Sequence, residues 1–178
     1  MIMNNRFLTT LLAVFLMSTA VADGEGTDSA TLIPVSEIRA GDSSLSEWQQ
    51  ISSGQPDAGT LDVLQAAGFT TVIDIRTPGE DRGIDEAVEV ASRNMTYINM
   101  PIGGPNDISY ENAREFDRLL SAIEGPVLVH CKSGNRVGAL FALREKLAGA
   151  SSEEALAVGK ATGLTRLEPV VTERLSDQ

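Results

Sequence analysis

A chain with a single cysteine cannot close a disulfide on itself, and one with a single histidine cannot assemble a multi-histidine metal centre or borrow a histidine from elsewhere for a Cys-His relay. Those two residues are neighbours, His130 and Cys131. Basic charge is also scarce: 14 Lys and Arg stand against 25 Asp and Glu, a formal net charge of -11. That balance removes the basic footprint of a nucleic-acid binder and repels polyanions and acidic membranes at long range. No Walker-type sequence, Ser-His-Asp arrangement, paired-cysteine motif or internal repeat is present. With 42% hydrophobic residues over 178 positions, the chain is long enough for one domain with a sizeable core.

Residues 1–22 read as a secretory signal peptide. Arg6 gives a positive start, Leu8 to Met17 is an apolar run, and Ala20-Val21-Ala22 fits a small-residue cleavage site. The run is about half of the roughly 20 residues that span a bilayer. Cleavage after Ala22 and export to a periplasm are therefore expected, with no membrane association once the leader is gone. Residues 23–30, rich in Gly and acid, read as a disordered lead-in, leaving 31–178 as the folded domain.

Strand and helix patterns then alternate. Thr31 to Val35 and Glu37-Ile38 suggest a first short strand or turn, Ile51 to Ser53 a strand, and Asp57 to Ala67 a helix with Leu61, Leu64 and Ala67 at helical spacing. Thr70 to Ile75 reads as a central strand and Asp85 to Arg93 as a mostly solvated helix. Thr96 to Met100 reads as another strand, broken by Pro101. Ser109 caps a helix whose buried face would carry Ala113, Phe116, Leu120 and Ile123. Ser151 with Glu154 resembles a capping box for a helix to about Thr162, and a last helix runs over Pro169 to Leu175. This succession predicts an α/β three-layer sandwich, a mostly parallel sheet with helices on both faces and ligand sites at the carboxyl edge of the strands.

Val127 to Val129 follows the Gly125-Pro126 breaker as a buried strand, and Val137 to Ala148 is helical with Leu140, Leu143 and Leu147 on one face. Between them lies Cys131-Lys132-Ser133-Gly134-Asn135-Arg136, with Gly134 as the permissive residue of the turn. A helix starting at about Arg136 aims its free amides at that turn and favours an anion there. The same amides and the Arg136 charge favour the reactive thiolate, and the planar guanidinium can clamp two oxygens of an oxyanion. A lone cysteine is ordinarily a packing residue. The adjacent His130, Gly134 and Arg136, none of which a packed core requires, favour a reactive one, although an exposed thiolate in an oxidising compartment is open to oxidation.

At these residues the chain resembles the cysteine-dependent protein tyrosine and dual-specificity phosphatase superfamily, whose loop reads His-Cys, five residues, Arg, then Ser or Thr. Here four residues separate Cys131 from Arg136, and Val137 stands where the hydroxyl residue would be. This short form is similar to phosphatase-like domains that also occur fused to β-lactamase-like hydrolases. The resemblance extends over Ile51 to Pro56, Gly68 to Arg76 and Asn99 to Ile102. It implies a phosphatase-like fold, no cofactor, no metal, and a small anionic substrate or phosphorylated molecule. It also implies Cys131 as nucleophile, Arg136 with the loop of Lys132, Ser133, Gly134 and Asn135 as the oxyanion cradle, and an acid on the loop before the long helix. Asp107 occupies that region, as a general acid or as a turn residue, with Asp81 as the second candidate.

His130 is expected to order the loop, Arg76 and Arg82 to make surface salt bridges with Glu80 or Asp81, and Asp74 to need a partner if buried. Two other functions stay open. The four-residue spacing resembles rhodanese-type sulfurtransferases, which would place a persulfide on Cys131, and a non-catalytic anion-binding module would keep the cradle without turnover.

Overall fold

Five parallel strands form one sheet in the computed structural model, which describes residues 30–177. The expected leader and nearly all of the lead-in lie outside those residues. The elements run β1 (Thr31–Leu32), β2 (Gln50–Ser53), α1 (Ala58–Ala66), β3 (Thr71–Asp74), α2 (Glu86–Ser92), β4 (Thr96–Asn99), α3 (Tyr110–Ser121), β5 (Val127–His130), α4 (Asn135–Leu147), α5 (Ser152–Ala161) and α6 (Glu168–Ser176). Strand order is β1-β2-β5-β3-β4, so β5 is the middle strand, with Ser53 and Asp74 as the register partners of His130. Among the described residues no helix is long and apolar enough to cross a membrane.

The period-2 alternation of the strands divides the core in two. Ile73, Ile75, Val127 and Val129 face a cluster with Phe116, Leu140, Phe141 and Val171, which belong to α3, α4 and α6. Val72 and Leu128 face the other way, onto Leu61 and Leu64 of α1 and Val90 of α2. Phe116 and Phe141 meet edge to face at 5.0 Å, a contact whose truncation to alanine costs about 3–5 kcal/mol. The two caps read from the sequence are built as expected, Ser109 accepting from Asn112 N and Ser151 with Glu154 closing a capping box, and Asp57, read only as the start of its helix, accepts from Thr60 N.

Three expectations are corrected. Leu147 is exposed rather than on the buried face, while α4 is buried on most sides between the sheet and α3, α5 and α6. The helix α2 is not simply solvated, since Glu86 and Val90 are buried. Nor do Arg76 and Arg82 form surface salt bridges. Arg76 is buried against Glu80, and Arg82 pairs with the fully buried Asp74. For α2 the cause is a neighbour distant in sequence, since His130 of β5 lies against Glu86 and covers a face the local pattern leaves open.

Candidate active site

The middle strand ends at His130, and the chain turns through Cys131, Lys132, Ser133 and Gly134 into α4. Gly134 has φ +82°, a left-handed conformation that suits glycine, and no side chain caps the helix it precedes. The first-turn amides of α4 therefore remain open to a ligand. Neighbouring segments fix the loop. Ser133 bridges Gly54, Gln55 N donates to Lys132 O at 3.4 Å, and a Cβ on Gly54 would stand only 3.1 Å from that same oxygen. A pocket of about 300 Å³ opens here, lined by Cys131, Lys132, Ser133, Asn135, Arg136 and Arg166. Cys131, 1% exposed, is its floor and touches the apolar core beneath.

Arg136 is held by three acceptors. Its Nη1 donates to Glu80 Oε1 and to Ile102 O, each at 2.7 Å, and Nη2 donates to Glu80 Oε2 at 2.8 Å. This fork-to-fork pairing fixes the plane of the guanidinium beside the thiol. Glu80 is itself placed by Thr77 N at 2.9 Å and by Arg76 Nε at 3.1 Å. The Arg136 hydrogen bonds, against a smaller opposing effect of burial, hold the Glu80 carboxyl well below the usual carboxylate range. The Glu80 hydrogen bonds foremost raise the pKa of the Arg136 guanidinium, although burial opposes them.

Beneath the loop lies a second polar group. His130 Nε2 stands 2.8 Å from Glu86 Oε1 but off the line of a well-formed hydrogen bond, and His130 Nδ1 is 3.4 Å from Cys131 O. Asp74 accepts from Arg76 N at 2.8 Å, Arg82 Nε at 2.6 Å and Tyr97 Oη at 2.7 Å. Gln55 donates to Glu86 at 2.9 Å. Burial first, and the Asp74 contact second, raises the Tyr97 pKa above the phenolic value and keeps it a donor. Atoms of Asp74, Glu86 and His130 come within 4.8 Å of one another, a grouping that can suit a metal, but Arg82 already supplies the cation. The cluster is an ion-pair network supporting the strand ends beside the loop.

Of the residues singled out in the sequence, Cys131, Lys132, Ser133, Asn135 and Arg136 line one pocket. Asn135 does more than lend an amide: its side-chain oxygen accepts from Thr165 N at 2.8 Å, Thr165 Oγ1 at 3.1 Å and Leu167 N at 3.2 Å. Asp107 is half-buried in a 3-10 turn, Pro105–Asp107, its carboxylate accepting from Gly103 N at 2.6 Å. It does not line the Cys131 pocket, but its loop follows Ile102, whose carbonyl Arg136 holds. In the sequence Glu80 was read only as a surface salt-bridge partner, and Glu86 and Arg166 went unassigned. The i,i+4 spacings of Arg76 with Glu80 and of Arg82 with Glu86 were the local signals available for the two acids.

Residues 26–169 match a family model described as a DSP-PTPase phosphatase fused to NAD+ kinase. A β-lactamase hydrolase-like protein of Agrobacterium fabrum is 35% identical over 101 residues, 54% of this chain and 23% of that protein. One from Xylella fastidiosa is 34% identical over 116 residues, 62% of this chain and 27% of that protein. The chain thus spans about a quarter of the length of these relatives. The fold is shared with a Neisseria meningitidis phosphatase candidate, TM-score 0.63 at 23% identity over 72% of this chain and 92% of that one. It is shared as well with TpbA of P. aeruginosa in complex with phosphotyrosine, TM-score 0.55 at 22% identity over 69% and 75%. With a family match across most of its length and a parallel α/β fold of the same kind, this chain belongs to the DSP-PTPase family of phosphatase-like domains.

Proposed function

We propose that this protein is an exported cysteine-dependent phosphatase acting on a phosphate monoester. The observation that carries the reading is the shared pocket of Cys131 and Arg136, with the guanidinium locked in plane by Glu80. The Cys131 thiolate attacks phosphorus, an S–P bond forms, and the P–O bond to the leaving group breaks. Arg136 and the open amides at the start of α4 stabilise the three equatorial oxygens. Asp107, on the loop that follows the Arg136 acceptor Ile102, protonates the leaving oxygen. Water then attacks phosphorus, the S–P bond breaks, and inorganic phosphate departs with the thiolate restored. That the P. aeruginosa relative in fold was captured with phosphotyrosine supports a phosphorylated molecule as the substrate class.

The test is release of phosphate from an aryl phosphate by the purified protein. Vanadate-sensitive turnover that disappears in Cys131→Ser is expected, and no turnover across a broad substrate panel would reject the reading. Export is tested by sequencing the amino terminus of protein recovered from a periplasmic fraction, where Asp23 is the expected first residue. One observation favours sulfur transfer as a second reading, the four-residue interval between Cys131 and Arg136. It predicts a mass gain of one sulfur on Cys131 after incubation with thiosulfate, and an unmodified thiol would exclude it.

A further inference from the structure

Arg166 enters the Cys131 pocket from the connection between α5 and α6, 30 residues beyond Arg136, and nothing in the mechanism above uses it. Its position is built rather than incidental. The side-chain oxygen of Asn135, itself 8% exposed, collects the three donors from Thr165 and Leu167 on either side of Arg166. The first turn of α4 and the Arg166 segment are thereby one unit. A second close approach reinforces this, since a Cβ on Gly163 would come within 3.0 Å of Gly134 C and O.

The charges around the pocket are uneven. Of the cations that line it, Arg136 is matched by Glu80, while Lys132 is exposed and takes no carboxylate partner among the described residues. Arg166 has no carboxylate within 4.0 Å among the described residues, and its side chain is exposed. The pocket lining carries no acid at all, in a chain with a net charge of -11. In the proposed reaction the scissile phosphate takes the floor, over Cys131, where the loop amides and Arg136 serve its oxygens. An exposed guanidinium on a fixed stretch of backbone at the rim is left to meet something beyond that phosphate.

We propose that Arg166 makes this a two-anion site, in which its guanidinium receives a second anionic group, phosphate or carboxylate, on the same phosphomonoester that Cys131 attacks. This rests on the phosphatase reading of the pocket, and it names the substrate class: a small phosphomonoester bearing a further anion, rather than a singly charged-end ester. Lys132 adds to the positive field, but Arg166 has the planar fork and the fixed backbone that bidentate recognition needs.

The test uses full-length protein carrying Cys131→Ser, so that binding is read without turnover. Its affinity for phenyl phosphate, 4-carboxyphenyl phosphate and 1,4-phenylene bisphosphate is measured by calorimetry with and without Arg166→Ala. The Arg166→Ala change should cost about tenfold more affinity for the two doubly anionic probes than for phenyl phosphate, as expected for one charge-assisted contact. Arg166→Lys should recover part of that difference, which a merely structural role would not allow. An equal loss on all three probes, or no loss on any, overturns the proposal. With Cys131 restored, absence of turnover alongside intact selectivity rejects hydrolysis but keeps the two-anion site, whereas turnover without selectivity does the reverse. Failure of the Cys131→Ser protein to bind any probe rejects both.

Discussion

Arg136 and Glu80 meet fork to fork, Nη1 to Oε1 at 2.7 Å and Nη2 to Oε2 at 2.8 Å, across 56 residues of sequence. The pair fixes the orientation of the guanidinium beside the Cys131 pocket, and in the proposed reaction the N–H groups it leaves free meet the substrate. Glu80→Gln keeps the size of the side chain but replaces one acceptor with a donor and removes the charge. Loss of such a charge-assisted contact is worth about 1.5–3 kcal/mol, so kcat/KM on an aryl phosphate should fall about 10- to 100-fold. A variant with unchanged kcat/KM would show that Arg136 is held in place by Ile102 and the loop alone.

The same pair makes stability depend on acid. The Arg136 hydrogen bonds depress the Glu80 carboxyl below its ordinary value of 4.5 in the folded state. A depressed carboxyl contributes stability that is fully present above the unfolded value and is lost as pH falls through the folded one. The stability of the wild type relative to Glu80→Gln should therefore be constant from neutral pH down to about 5, then shrink steadily below the ordinary carboxylate value. Denaturant melts of both proteins from pH 7 to 3 measure this, and curves that stay parallel throughout would remove Glu80 from the acid response.

What the sequence made legible follows a simple division. The Cys131 turn could be found because a β-branched run, a glycine and an apolar helix sit within about twenty consecutive residues, and each carries its own local signature. Ser109 and Ser151 were recognisable for the same reason, since a cap bonds an amide two or three residues away. Asp74 announced only half of its chemistry: a charge in an apolar strand needs a partner, yet nothing local says that Arg82 and Tyr97 supply it. Glu86 was hidden in an acidic helix that looks solvated until His130 is placed beneath it. Arg166 was out of reach altogether, because the Asn135 contacts that place it span 30 residues and leave no periodicity. Position along the chain singles out Asp107 as a candidate acid, but the structure holds its carboxylate on Gly103 N, outside the lining of the Cys131 pocket.

Arg82 provides a test of the buried network. It is the main cation on Asp74, whose side chain is fully buried, and it lies 3.7 Å from Glu86. Arg82→Met fills similar volume but leaves Asp74 with Tyr97 and one backbone amide. Breaking a buried pair from one side costs about 3–5 kcal/mol. The urea midpoint should drop accordingly. Removing both charges, in Asp74→Leu with Arg82→Met, should cost less than the sum of the two single changes, because no carboxylate is then stranded. Strict additivity would mean that the two side chains do not act as a pair.

Two glycines placed in helices should respond to alanine with opposite sign. Gly59 lies on the exposed side of α1, and a Cβ there would meet nothing closer than Asp57 Oδ1 at 3.6 Å. Gly59→Ala should therefore stabilise by up to about 1 kcal/mol through helix propensity alone. Gly138 lies in α4 where it crosses α5, and a Cβ would fall 2.2 Å from Leu164 N and 2.5 Å from Gly159 O. Those neighbours are backbone, so no rotamer change can relieve the clash, and Gly138→Ala should destabilise by about 1–3 kcal/mol despite the better propensity. The strain has a direction as well. Pushing Leu164 away from α4 pulls on Thr165 and Leu167, the residues that Asn135 clamps around Arg166. Where the protein still folds, Gly138→Ala should thus weaken binding of 1,4-phenylene bisphosphate more than binding of phenyl phosphate. Equal weakening of the two would mean that the α4–α5 contact carries stability but does not set the position of the outer arginine.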